Sequence, residues 1–196
     1  MNYKALSLKV MRVFELADKL GRKFILESGL DCPEKCGECC KSKNIYVTVL
    51  ECIPACLQLW QEGLAEMIIS ELQKYPEKKE CVFYQDNPAE KVTGHCRIYP
   101  FRFLVCRLFA NSVRFDKDGN PQLMTCKLIK QNRPELYERA RKLLGQKLPA
   151  PIARDFVFRL YCIDPYLSRG QLPVNIALKR ALEITYQHPR SYHKAV

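Results

Sequence analysis

The sequence predicts a mostly α-helical protein: several helices packed around irregular, cysteine-rich metal-binding loops, with one small β-hairpin. Three observations carry that expectation. Apolar residues recur at three- and four-residue steps in several segments, as one face of a helix requires. Eleven cysteines occur in 196 residues, four of them within nine positions of an irregular, polar stretch. A single strong turn signal, Asp118-Gly119, lies between two short alternating segments.

The elements follow in order. Over residues 3–28, Leu6, Val10, Val13, Ala17, Leu20 and Phe24 fall on one face of a long amphipathic helix. The repeat is shorter than a coiled coil wants, so this face is expected to pack on the rest of the domain. Residues 29–47 read as irregular. Thr48 and Glu51 have capping-box spacing. Pro54, one turn on, removes a backbone donor, so a kink or a start nearer Pro54 is expected. Leu57, Trp60, Leu64, Met67 and Ile68 continue a buried face, and Gly63 divides the region into two helices. Residues 78–110 read as loop. Val113 and Phe115 begin the hairpin, and Leu123 to Thr125 return as its second strand. A helix follows over about 133–144, with Asn132 and Glu135 at capping spacing and Pro134 in its first turn. Further helices are expected over about 151–162 and 173–187, the last stopped by His188-Pro189. The chain is expected to form one domain, 1–196, with a metal-binding core at 31–126 and helical flanks at 1–30 and 127–196.

Composition bounds the function. The chain is 47% hydrophobic and 27% charged, as in an ordinary globular core. No run approaches the roughly 20 apolar residues of a membrane span. Lys4, Lys9, Arg12 and Glu15 interrupt the first residues, so no signal peptide and no membrane association are expected, and the protein is expected to be cytoplasmic. In that reducing setting, eleven cysteines point to metal binding or redox chemistry rather than disulfides, which an odd count also fits poorly. The formal charge of +11 suggests an anionic partner. Eight thiolates around two Zn²⁺ would lower it by about four. With no recognition motif visible, nucleic acid is not the expected partner. An unknown protein partner fits better, and the oligomeric state is open.

The chemistry centres on Asp31-Cys32-Pro33-Glu34-Lys35-Cys36-Gly37-Glu38-Cys39-Cys40, with spacing C-x3-C-x2-C-C. Short spacings let one turn of backbone aim several sulfurs at a common point. Pro33 stiffens the loop, and Gly37 is expected to supply the positive φ that wrapping a metal often needs. Buried core thiols are a poor alternative, because the surrounding residues are polar. Cys81, Cys96 and Cys106 follow in the loop-like region. Antiparallel pairing in the hairpin sets residues near Cys126 across from Asn111, folding Cys126 back towards Cys106. The candidate metal ligands are therefore Cys32, Cys36, Cys39, Cys40, Cys81, Cys96, Cys106 and Cys126. A tetrahedral zinc or a cubane cluster takes about four thiolates, so two centres, or one polynuclear centre, would use the set. In extended backbone Cys39 and Cys40 would point to opposite faces and serve different centres, whereas a turn at Gly37 would bring both to one.

Cys32-x3-Cys36-x2-Cys39-Cys40, then Cys81-Val82-Phe83, Cys96-Arg97-Ile98-Tyr99 and Cys106-Arg107-Leu108-Phe109, resembles the cysteine-cluster proteins described as zinc- or iron-chelating. Some members are described as iron–sulfur proteins, and on that description alone an iron–sulfur cluster is preferred slightly over Zn²⁺. The resemblance covers about residues 31–126. Family members usually have Cys-Pro-Phe at Cys81-Val82-Phe83 and Arg-Pro at Arg102-Phe103, departures that remove no ligand. Flagellin lysine N-methylases have a similar cysteine arrangement. The resemblance thus implies a role in redox chemistry, metal handling or partner modification. The alternatives are a structural-zinc interaction module with a basic surface, or a cluster-dependent protein-modifying enzyme such as a protein lysine methylase. No catalytic residue is identified, and no phosphate loop, Ser/His/Asp set or HExxH motif is visible.

Other residues have plainer readings. Cys52 and Cys56, four apart on a helix, are expected to be core thiols, as is Cys162 among Phe156, Phe158, Leu160 and Tyr161. His95 is expected to be exposed. Arg102 and Arg107 flank Cys106, where a guanidinium would offset thiolate charge or else lie in solvent. Arg139, Arg141 and Lys142 read as the wet face of a helix, and His188 and His193 receive no role.

Overall fold

The computed structural model describes residues 1–32, 36–75, 80–86, 94–145 and 150–186. It is mostly helical, with eight α-helices among the described residues and only short antiparallel strand pairs. None of these helices is long and apolar enough to cross a membrane. The chain divides into two compact units. One comprises Met1–Met11, Lys35–Phe103 and Leu160–Val196; the other comprises Arg12–Glu34 and Leu104–Arg159.

Helix α1 spans Tyr3–Ser28, as its periodicity requires. Its buried stripe is Val10, Phe14, Ala17, Gly21 and Phe24, whereas Val13 and Leu20 are only half-buried. The stripe is turned because Gly21 leaves room for Asn111. A Cβ at Gly21 would lie 2.8 Å from the Asn111 amide nitrogen.

In the first unit, α2 (Val49–Gln61) and α8 (Val174–Thr185) make the main helix pair. The capping box forms in full: the Thr48 side chain accepts from the Glu51 N–H, and the Glu51 carboxylate accepts from the Thr48 N–H. Such a cap contributes about 1 kcal/mol. It starts the helix at Val49, so Pro54 lies inside α2 rather than at its start. The core face of α2 is Leu50, Ile53, Cys56 and Leu59. It meets Ala177, Leu178, Ala181 and Leu182 of α8, all buried. The expected face is corrected here: Leu64 and Met67 are exposed, and Leu57 and Trp60 are half-buried. The Trp60 indole donates to the Thr185 hydroxyl at 3.1 Å. Gly63, at φ +71, separates α2 from α3 (Ala65–Lys74).

Two short ribbons frame this unit's cysteines. Strand β1 (Tyr46–Val47) pairs with β6 (Leu172–Pro173), and β2 (Tyr84–Gln85) pairs with β3 (His95–Cys96). Neither was legible in the sequence, where 29–47 and 78–110 read as irregular.

The second unit holds α4 (Leu104–Leu108), the hairpin β4 (Ser112–Phe115) and β5 (Pro121–Met124), α5 (Lys127–Asn132) and α6 (Pro134–Gly145). The hairpin register pairs Ser112 with Met124 and Phe115 with Pro121 around Gly119, at φ +80. Asp116 stabilises the turn by accepting from the N–H groups of Asp118 and Asn120. Asn132 ends α5 instead of capping α6, because Cys126 already starts a helix there. Phe24, Leu30, Ala110, Ile129 and Ala140 form the buried cluster of this unit. Helix α7 (Ala153–Ile163) follows, close to its predicted bounds.

Candidate metal centre

Five of the eight candidate cysteines, Cys36, Cys39, Cys40, Cys81 and Cys96, lie in the first unit, and four of them lie close enough to act on the charge of the fifth, Cys40. Burial first, and then Cys81, Cys96, Cys39 and Cys36, each of which would repel a thiolate, together push the Cys40 thiol up to about 12. Residues far apart in sequence have thus been brought within electrostatic reach.

Local hydrogen bonds explain the gathering. Glu38–Lys41 forms a 3-10 turn in which the Cys40 N–H donates to the Gly37 carbonyl at 2.9 Å. Cys39 and Cys40 are therefore consecutive residues of a turn, not of an extended strand. Gly37 has φ −92, so it does not supply the expected positive φ. It is small for a different reason: a Cβ there would overlap the Tyr84 ring and come within 3.1 Å of the Gly94 carbonyl. The Cys40 carbonyl accepts from the Cys81 N–H at 2.9 Å, which ties the loop to the next cysteine. Asn175, at the start of α8, brackets Cys81 on both sides. Its Oδ1 accepts from the Val82 N–H at 3.0 Å, and its Nδ2 donates to the Glu80 carbonyl at 2.8 Å. Sequence reasoning missed Asn175, since its partners are more than ninety positions away. Cys96 enters through β3, directly across from Tyr84.

Charge is partly offset around these sulfurs. Burial raises the Cys96 thiol, while the guanidinium groups of Arg102 and Arg97 oppose that rise. Arg97 is fixed by Glu71 at 3.1 Å and by the Val82 carbonyl, and Arg102 stacks on Tyr99 at 4.2 Å. Arg107 is neither solvated nor loose. It is buried, pairs with Asp18 and stacks on Phe14 at 4.6 Å.

The other three candidates lie in the second unit. Cys32 and Cys126 pack against its buried cluster. The Cys126 sulfur accepts from the Ile129 N–H at 3.4 Å, capping α5. Cys106 is half-buried in α4. The expected hairpin geometry holds, because the Ala110 N–H donates to the Met124 carbonyl beside Cys126. The candidates therefore divide five and three between the units.

The remaining cysteines split. Cys52 and Cys56 are fully buried, as expected. Cys162 is exposed, contrary to expectation. Phe156 and Leu160 point into the core, whereas Cys162 shares the opposite face with Phe158 and Tyr161, both exposed. His95 is exposed, and Arg139, Arg141 and Lys142 form a wet face as expected. Pro33, His188 and His193 lie outside the described residues. No disulfide is formed among the described residues. Among the described residues, no three His, Cys, Asp or Glu side chains converge tightly enough to form a finished ligand shell. The five thiols are gathered but not drawn to a point.

A pH dependence follows. An ordinary thiol ionises at 9.0 and Cys40 at about 12, so between these values the unfolded chain sheds a proton that the folded chain keeps. The stability of metal-free protein is therefore expected to fall as pH rises through that window. Metal affinity should move the other way, rising by about one decade per pH unit for each thiol ionised on binding. Chelator competition across neutral to mildly alkaline pH checks this; a flat affinity profile would contradict it.

A mostly helical scaffold that gathers soft sulfur donors from loops defines a cysteine-cluster, metal-chelating class of protein. The chain belongs to the CxxCxxCC family: residues 31–142 match the family model described as "Putative zinc- or iron-chelating domain". No curated protein and no solved structure matches the chain. The donor chemistry fits that family, since clustered thiols select zinc or iron with sulfide over hard, oxygen-seeking cations.

Proposed function

We propose that the protein holds an iron–sulfur cluster through cysteine thiolates and acts in redox chemistry, metal handling or modification of a protein partner in the cytoplasm. The gathering of four cysteines around Cys40 carries this reading. Cys36, Cys39, Cys40, Cys81 and Cys96 would form the principal ligand group in their unit, and Cys32, Cys106 and Cys126 would be ligands within theirs. The Cys40 thiol is raised by burial and by its cysteine neighbours. It suits a ligand that ionises when metal displaces its proton. Five gathered sulfurs are enough for a cubane cluster, which takes about four thiolates. When bound, the cluster would supply one-electron chemistry, and Arg97 and Arg102 would offset its negative charge. The competing reading is structural zinc supporting a basic surface, favoured by the formal charge of +11. Anaerobic purification followed by metal and acid-labile sulfide analysis separates the two. Iron with equivalent sulfide and broad visible absorption is expected; zinc without sulfide would overturn the iron–sulfur reading in favour of the structural one.

A further inference from the structure

Tyr84 touches each segment of the first unit that bears a candidate ligand. Its N–H donates to the Cys81 carbonyl at 2.9 Å, and its strand position pairs with Cys96. Its ring lies against Gly37, inside the first cysteine loop, where a methyl group would overlap its Cε2. The same ring lies against Gly94, two residues before Cys96. A Cβ there would fall 2.7 Å from Cε2 and 2.8 Å from the hydroxyl oxygen. Lys41, next to Cys40, sits 5.5 Å from the ring centroid and donates to the Tyr84 hydroxyl. That hydroxyl in turn donates to Asp86 at 2.9 Å. Lys41 is held from its other side by Glu38 at 3.2 Å. Gly37 is thus small because the Tyr84 ring fills the space beside it, and Gly94 because that ring and the Gln85 carbonyl oxygen, which a Cβ there would overlap, both crowd a backbone at φ +139.

We infer that Tyr84 is the positioning residue of the metal centre: its ring, clasped between Gly37 and Gly94, fixes the Cys36–Cys40 loop in register with Cys81 and Cys96. The inference rests on the metal-binding reading above and adds a residue that contributes no ligand. The ring sets the separation of the two segments through close packing, which tolerates little change in volume. The hydroxyl adds a polar tie to Lys41 across the loop. Loss of the ring leaves every sulfur in place but lets the loop move relative to the ribbon. Residues that orient ligands without binding metal typically cost about 10–100-fold in metal affinity when removed.

Cobalt(II)-loaded protein provides the test, because thiolate-to-cobalt absorption reports ligated sulfurs directly. Tyr84→Leu is expected to release cobalt to excess chelator at least about tenfold faster than wild type and to weaken the absorption per metal. Tyr84→Phe keeps the ring and should stay within about threefold of wild type, and Gly37→Ala serves as the test if the leucine variant fails to fold. Gly37→Ala should match Tyr84→Leu, since the added methyl pushes on the same ring. Gly37→Ala combined with Tyr84→Leu should be no worse than the worse single variant, because both changes break one contact. Multiplied single effects, or wild-type release from Tyr84→Leu with unchanged absorption, would overturn the role of Tyr84 while leaving the metal reading intact. A wild type that takes up no cobalt would instead defeat the metal reading itself, and this inference with it.

Discussion

Stripping the metal under reducing conditions is expected to lower the thermal midpoint by about 10–20 °C while leaving most helical signal at low temperature. The direction follows from connectivity. The loop of Cys36 to Cys40, Cys81 and Cys96 are joined by a few hydrogen bonds, and a shared metal would cross-link all three segments. Structural zinc in small peptides is worth about 10–16 kcal/mol, nearly all of it folding free energy. A retained share of about 5 kcal/mol gives the stated shift for a chain of this size. Helicity survives because the α2–α8 core is apolar, buried and independent of the gathered thiols. Melting curves with and without chelator check the claim, and superimposable curves would contradict it.

The second large effect lies in the other unit. Arg107 is 4% exposed, and its guanidinium pairs with Asp18 and stacks on Phe14. Asp18→Ala takes away that carboxylate and leaves a buried cation to be satisfied elsewhere. Breaking one side of such a pair costs about 3–5 kcal/mol, and Asp18 is partly exposed, so about 3 kcal/mol is expected. Replacing both partners by apolar residues, Asp18→Leu with Arg107→Met, should recover much of the loss. Urea denaturation of the two variants checks this. A single variant within about 0.5 kcal/mol of wild type would show that the pair lies effectively in solvent.

Local signals were legible in the sequence, and distant ones were not. The first helix, the Thr48–Glu51 cap, the Asp118-Gly119 hairpin and the four-cysteine loop are all written within a few residues of where they act. Gly37 was misread because its constraint comes from Tyr84, forty-seven positions away and with no periodic relation to it. Asn175 carried no signal for the same reason: an asparagine at a helix start reads as an end signal, not as a bracket around a remote cysteine. Arg107 reads as a counter-charge to thiolates or a surface cation until Asp18 and Phe14 are folded onto it. Cys162 failed differently. Its aromatic neighbours in sequence suggested a core, but Phe156 and Leu160 take the inner face and leave Phe158, Tyr161 and Cys162 outside. Composition near a cysteine says little about which side of a helix it occupies.

The central claim is that cysteine sulfurs, and no other groups, hold the metal. X-ray absorption at the metal edge of the protein as isolated tests it most directly. The account predicts a first shell made only of sulfur, at about 2.3 Å if the metal is zinc, and partial loss of that shell in Cys40→Ser. A shell of nitrogen or oxygen, or an unchanged shell in the Cys40 variant, would contradict it.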